Sequence, residues 1–247
     1  MITVKSVEEI ELMRKAGKLT HDTLILLEKA IAPGVTTKQL DELAYSYIIR
    51  NGGKPSFKGY GGFPGSICTS INEQVVHGIP GNIALKEGDI ISIDVGVCYK
   101  GYHGDSARTF AVGKISAQKQ KLIEVTKQSF FEGIKNIKAG SFVGDISSQV
   151  QRYVEKHGFS VVKDLVGHGI GKHLHEDPSV PNYGFAGLGP RLSEGMTIAV
   201  EPMVNIGTDR VHFSKADGWT VTTADGQPSA HYENTILILA DGVEILT

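Results

Sequence analysis

The chain repeats itself, and each copy of the repeat ends on an acid. Residues 85–94 read LKEGDIISID and residues 192–201 read LSEGMTIAVE, so Leu, Glu and Gly recur in register at an offset of 107. A β-prone apolar run follows in each copy and closes on Asp94 or Glu201. Upstream, at an offset of 106, Ile31, Gly34, Leu40, Tyr47 and Gly52 match Ile137, Gly140, Ile146, Tyr153 and Gly158. Downstream, HGDSARTF (103–110) faces HYENTILI (231–238), each carrying His-x-carboxylate into a strand-like run. Three matches in the same order point to one supersecondary unit used twice. The expected arrangement is a single domain, 1–247, built from two related halves of about 1–113 and 114–247.

Local patterns repeat in step. Ser6-x-x-Glu9 is a capping box that opens a helix over 6–30. A second helix spans 37–51, with Leu40, Leu43, Ala44, Tyr47 and Ile48 on one face and Gly52-Gly53 as its stop. The counterparts are 116–137, with Leu122, Val125, Ser129 and Phe130 at helical spacing, and 144–157. The runs 90–98, 105–112, 196–204 and 232–240 are β-branched and strand-like. Helix pairs alternating with antiparallel strands predict a pseudo-two-fold α+β fold, both helix pairs covering one face of a shared antiparallel sheet.

Charge and composition remove whole classes of function. Lys+Arg 25 against Asp+Glu 27 leaves a net charge of -2, with no basic excess for nucleic acid or anionic membrane. No stretch approaches the roughly 20 apolar residues a membrane span needs, and the first residues lack a secretory signal pattern. Two cysteines, Cys68 and Cys98, make no disulfide framework and fit a reducing, cytoplasmic setting. Phosphate-binding and nucleophile-elbow motifs are absent, and GYGGFPG lacks the strand-then-helix setting of a dinucleotide loop.

The acids carry the chemistry. Asp94 and Asp105 flank the turn YKGYHG, and pairing across it would put both carboxylates on one sheet face. Glu201 and Glu233 hold the equivalent places in the second half. A single acid at a strand end is ordinarily a turn or surface charge. Four within apolar strands would repel each other and resist ionisation, which divalent cations relieve. His168, in VGHGIGKHLHEDP, is the candidate nitrogen ligand. His77 and His175 suit substrate contact or proton transfer, and equally suit plain loop positions. His103 and His231 neighbour acids and could steady metal ligands.

At these residues the chain resembles the type I methionine aminopeptidases, of the creatinase-like "pita-bread" fold. CTSINEQVVHGIP, DIISIDVGV, GYHGDSARTF, GHGIGKHLHEDP, GMTIAVEPM and SAHYENT are similar to that family's segments in order and spacing, over essentially the whole chain. The resemblance implies that Asp94 chelates one divalent ion, that His168 and Glu201 bind the other, and that Asp105 and Glu233 bridge both. It implies that His77 and His175 contact the scissile amide, with Glu201 as general base. Tyr60, Phe63, Cys68, Leu174 and Trp219 would line a methionine pocket. Mn, Fe or Co suit so oxygen-rich a set, and a monovalent cation would sit near Asn72, Gln74 and Ser229.

The implied activity is removal of the N-terminal methionine from nascent proteins with a small, uncharged second residue, by a metal-activated water. Nascent chain N-termini are the implied partners, with transient ribosome association, a monomeric state and a cytoplasmic setting as family expectations. Two departures concern the pocket wall: Leu174 replaces a common aromatic, and Phe57 a common cysteine. The short interval from Glu201 to Glu233 favours type I over type II, and the chain opens almost directly on its first helix. An aminopeptidase P or prolidase relative, and a non-catalytic binding module on the same fold, are the rival readings.

Overall fold

The computed structural model describes residues 2–247. Among these residues are four α-helices: α1 (Val7–Ala30), α2 (Thr37–Arg50), α3 (Ala117–Ile134) and α4 (Val143–Lys156). Each begins where a side chain satisfies a free backbone N–H. Ser6 and Glu9 form the expected capping box, and Thr36 with Gln39 forms a second one. Ser116 caps α3 through the Lys119 N–H. Asp145 accepts from the Phe142 N–H at the start of α4, at 2.7 Å. The two helix pairs seal separate apolar clusters. Leu19, Leu27, Leu40 and Ile48 pack on Ile91, Ile93, Val95 and Val97 in the first half. Leu122, Phe130, Ile146 and Val150 pack on Ile198, Val204, Ile236 and Ile238 in the second.

Repeated residues take matching roles. Gly34 and Gly140 lie in the left-handed region at φ 91° and 94°. Their N–H groups donate to Leu85 and Leu192 carbonyls, each at 2.8 Å. The leucines that open the two copies of the acid-bearing repeat are thus held by the same glycine contact.

The strands depart from expectation in two ways. The sheet is not one shared layer but four ladders, of four, three, three and five strands among the described residues. The first-half hairpin is unbroken: Ile90–Tyr99 pairs with Tyr102–Ala111 along its whole length. In the second half, the strand expected over 196–204 is interrupted, and the one expected over 232–240 forms as Asn234–Ile238 with a separate short strand before it. Thr197–Val200 stops before Glu201-Pro202 and Met203–Asn205 resumes in another sheet, while Ser229–His231 and Asn234–Ile238 break opposite. Pro202 has no N–H to donate, so the ladder lapses there. Pairing stays in step across the gap, Val200 with Asn234 and Met203 with His231.

The halves are joined through these strands. The Glu233 N–H donates to the Ala107 carbonyl at 2.9 Å, and the Ala107 N–H returns to the Glu233 carbonyl at 3.4 Å. Thr235 Oγ1 accepts from the Asp105 N–H and donates to the Asp105 carbonyl, both at 3.0 Å. Helix α1 crosses the hairpin at Gly104, whose carbonyl accepts from the buried Thr20 hydroxyl at 3.1 Å.

Backbone contact at Gly17 in α1 leaves no room for a side chain. A Cβ there would lie 2.1 Å from the Leu246 carbonyl oxygen, while one at Gly242 would meet nothing within 4 Å. Gly17→Ala should therefore destabilise by about 1–3 kcal/mol, lowering Tm by roughly 2–4 °C per kcal/mol for a chain of this size. Gly242→Ala serves as the control with little change. Equal melting of the two variants would refute this account of the crossing.

Candidate active site

The hairpin that carries the aspartates turns at Lys100-Gly101, with φ of 49° and 87°. Two positive φ values in a two-residue turn match the natural twist of the strands. The turn sets a register in which Asp94 faces Ala107 and Gly96 faces Asp105. Both carboxylates consequently leave the same face, as expected. Glu201 and Glu233 project from the paired breaks of the second half. His168 sits on the short strand Gly167–Gly169, paired with Ala199.

These groups converge. His168 Nε2 lies 3.6 Å from Glu201 Oε1 and 3.9 Å from Asp105 Oδ2. Its Nδ1 hydrogen-bonds the Gly169 carbonyl at 2.8 Å, so Nδ1 carries the proton and Nε2 offers a lone pair. Two trios of ligand atoms each fall within 4.8 Å of one another: Asp105, His168 and Glu233, and Asp94, His231 and Glu233. Glu233 belongs to both. His231, read from sequence as a histidine beside an acid that could steady metal ligands, stands inside the cluster. His103, its counterpart in the repeat, turns away and hydrogen-bonds Ser56 Oγ at 2.8 Å.

One cavity of about 130 Å³ holds the five expected ligands together with His77, His175, Tyr60, Phe63, Cys68, Leu174, Trp219 and Phe57. Cys68 reaches it because its strand pairs it with Asp94. Phe57 enters over Gly96, where a Cβ would stand 2.6 Å from its ring. Phe63 and Trp219 meet edge to face at 5.1 Å. The Tyr60 hydroxyl and His175 Nδ1 share a hydrogen bond of 2.7 Å. His77 adopts φ 59°, an uncommon conformation for a residue with a Cβ. Near Asn72, the Lys119 ammonium donates to Asn72 Oδ1 at 2.9 Å and to the Gly88 carbonyl at 2.7 Å. A positive charge is thus already supplied beside that side chain.

Comparison with known proteins gives this geometry its family. The model of metallopeptidase family M24 matches residues 11–240. The chain belongs to metallopeptidase family M24. Among its relatives, a methionine aminopeptidase of Clostridium perfringens is 56% identical over 247 residues, covering 100% of this chain and 99% of the relative. Methionine aminopeptidase 1 of Bacillus subtilis is 52% identical with the same coverage. The crystal structure of methionine aminopeptidase from Rickettsia prowazekii superposes with a TM-score of 0.98 at 45% identity, covering 100% of both chains. The pita-bread fold follows. No helix among the described residues is long and apolar enough to cross a membrane.

An M24 metallopeptidase implies divalent metal ions, and the residues here fit them. Asp94 Oδ1, Asp105 Oδ1 and Glu233 Oε1 are buried without a hydrogen-bond partner, which is costly for carboxylates unless a cation is nearby. Burial, followed by repulsion from Asp105 and Glu201, pushes Asp94 well above the usual carboxylate range. Burial and Asp105 do the same to Glu201, and burial, Asp105, Glu201 and Asp94 to Glu233. Burial raises Asp105 to about 7. His168 is held down at about 4 by burial and by His175, so its ligating nitrogen is free at neutral pH.

The same shifts predict how this M24 chain responds to chelation. Unfolded carboxyls ionise near pH 4, while burial raises Asp105 to about 7 and holds the other three well above the usual carboxylate range. Their contribution to stability is complete below pH 4 and is lost as pH rises through the folded values. The depressed histidines His77, His168 and His231 oppose this mainly between about 3 and the unfolded value near 6.5. From pH 7 to 8 the acids alone decide the sign, so chelator-treated protein should lose stability over that interval. Added Mn should restore it, read as denaturation midpoints. A midpoint that rises from pH 7 to 8 would contradict the electrostatic account.

Proposed function

We propose that the protein releases the N-terminal methionine from nascent polypeptides whose second residue is small and uncharged. One observation carries the reading: five metal-ligand side chains and an apolar, aromatic-walled recess occupy a single cavity. The reading treats the chain as one catalytic domain, 1–247, of two halves meeting at about 113–114. Divalent ions bound by Asp94, Asp105, His168, Glu201 and Glu233 would neutralise the buried charge and supply Lewis acidity and water activation. Mn, Fe or Co suit a set of four carboxylates and one imidazole. A monovalent cation by Asn72, Gln74 and Ser229 belongs to the proposal, as do a cytoplasmic setting, a monomeric state and transient ribosome contact.

The protein's own groups divide the work. Phe57, Tyr60, Phe63, Cys68, Leu174 and Trp219 enclose the unbranched thioether, which suits a soft apolar recess. Glu201 accepts the proton of the attacking water and passes it to the departing amine. The Tyr60 hydroxyl, donating to His175 Nδ1, leaves the proton of that imidazole on Nε2. There it donates to the scissile carbonyl as negative charge develops. His77, held down at about 4 by burial and then by His175, is neutral at the working pH and faces the same amide.

Released methionine from Met-Ala-Ser and Met-Lys-Ser is the deciding assay, run on chelated protein with and without added Mn or Co. Metal-dependent cleavage of the first peptide alone is the expected result. Cleavage of Ala-Pro peptides instead would favour the aminopeptidase P reading, and no cleavage by folded, metal-loaded protein the binding module. Glu201→Ala should cut kcat by about 10²–10⁴-fold, the range of general-base catalysis, with the fold retained by circular dichroism. Full activity in that variant would remove Glu201 from the role.

A further inference from the structure

His103-Gly104-Asp105 and His231-Tyr232-Glu233 match each other in the two strand pairs, yet only the second histidine faces the candidate metal ligands. His103 is spent on Ser56. His231 is 2% exposed, and its Nε2 has no hydrogen-bond partner. That nitrogen stands 3.6 Å from Glu201 Oε2 and 3.8 Å from Glu233 Oε2. Its backbone is fixed on both sides, since the His231 N–H donates to Thr109 Oγ1 and the Thr109 hydroxyl donates to the His231 carbonyl, each at 2.9 Å. Its Cα is thereby placed so that the ring reaches both glutamates.

The position of the proton decides what the ring does. Two carboxylate oxygens converge on one ring nitrogen. A lone pair there would face two negatively charged acceptors, whereas an N–H would face two partners, and bonds to ionised acceptors are the stronger kind. The remaining oxygens are then directed at the centre of the site: Glu201 Oε1 is 3.6 Å from His168 Nε2, and Glu233 Oε1 is buried and unpartnered. We propose that His231 is a positioning residue that donates from Nε2 between Glu201 Oε2 and Glu233 Oε2, holding the two second-half carboxylates so that their other oxygens meet the metal ions.

Behind the ring lies a separate cavity of about 290 Å³, shared by His231 with Arg108, Thr109 and Tyr232. Arg108 donates to the Glu233 carbonyl and to Asn234 Oδ1, and its guanidinium lies 4.1 Å above the Tyr232 ring. The backbone of Glu233 is thus fixed by Arg108 and its carboxylate by His231. Two different side chains govern one ligand.

This inference rests on the proposed metallopeptidase reading, and its test separates the two. His231→Ala and His231→Gln would be compared with the parent for Mn affinity by calorimetry, for kcat and KM on Met-Ala-Ser, and for melting temperature. Glutamine keeps an N–H donor but brings no imidazole nitrogen. His231→Ala should lose about 10–100-fold in Mn affinity or kcat, the range seen when partners of metal ligands are removed, with KM unchanged. His231→Gln should recover most of that loss. Parent-like affinity and kcat in His231→Ala would overturn the assignment. So would a glutamine variant as impaired as the alanine one, with the visible spectrum of the Co-loaded protein altered in both, since that marks a lost ligand. Parent protein that binds Mn but releases no methionine would defeat the peptidase reading, while the affinity comparison would still decide His231.

Discussion

Four carboxylates, two buried and two half-buried, crowd together in one cavity, and the surrounding structure is arranged around that conflict. Like charges at this spacing in a poorly solvated site resist ionisation, and three of the oxygens have no hydrogen-bond partner. Apolar packing alone would expel such groups. They stay because each is anchored in backbone that other bonds already determine: the full hairpin behind Asp94 and Asp105, and the Ala107–Glu233 exchange between the halves. The separate cores beneath the two helix pairs supply the stability against which this unfavourable arrangement is held.

The apolar wall acts on the same electrostatics. Phe57, Phe63 and Leu174 are nearly fully buried beside the acids, so water competes weakly for the charged groups. That exclusion strengthens any cation–carboxylate attraction and shapes the recess for an apolar side chain. Residues that would recognise methionine thus also set the dielectric in which the metal ligands work. Gly96 links the two functions, because only a missing Cβ on the aspartate-bearing strand lets Phe57 lie over it.

The helices and the unusual placing of the four acids were legible because they rest on local rules. Ser6-x-x-Glu9 names its own helix start, and an acid closing an apolar strand stands out against its neighbours. What escaped depends on geometry between distant segments. The strand-like run over 196–204 hides a break at Glu201-Pro202, and the run over 232–240 gives no sign of the separate short strand before it, because β-propensity reports side-chain fit and not ladder continuity. Pro202 was the available signal. The turn at Lys100-Gly101 is shorter than YKGYHG suggested, since positive φ at a lysine is uncommon. His103 and His231 read alike in sequence. Only the fold shows that one meets Ser56 and the other the glutamates. Lys119, whose ammonium reaches Asn72 from α3, left no mark near the residues it joins.

The similarity of the two strand pairs accounts for the cradle but not for its asymmetry. Two related strand pairs bring two acids each to a common centre, which is what a pair of like cations requires. A peptide has direction, with an amine at one end and a carbonyl beyond it, so a symmetric site could not distinguish them. The asymmetry comes from outside the repeated strands. Phe57, Tyr60, Phe63, Cys68 and His77 arrive from loops and a short strand of the first half, Leu174, His175 and Trp219 from loops of the second. Within the repeat itself, short aspartates stand on an unbroken hairpin while longer glutamates stand at broken strands. The two strand pairs resemble each other in backbone register and differ in the acids and breaks they carry.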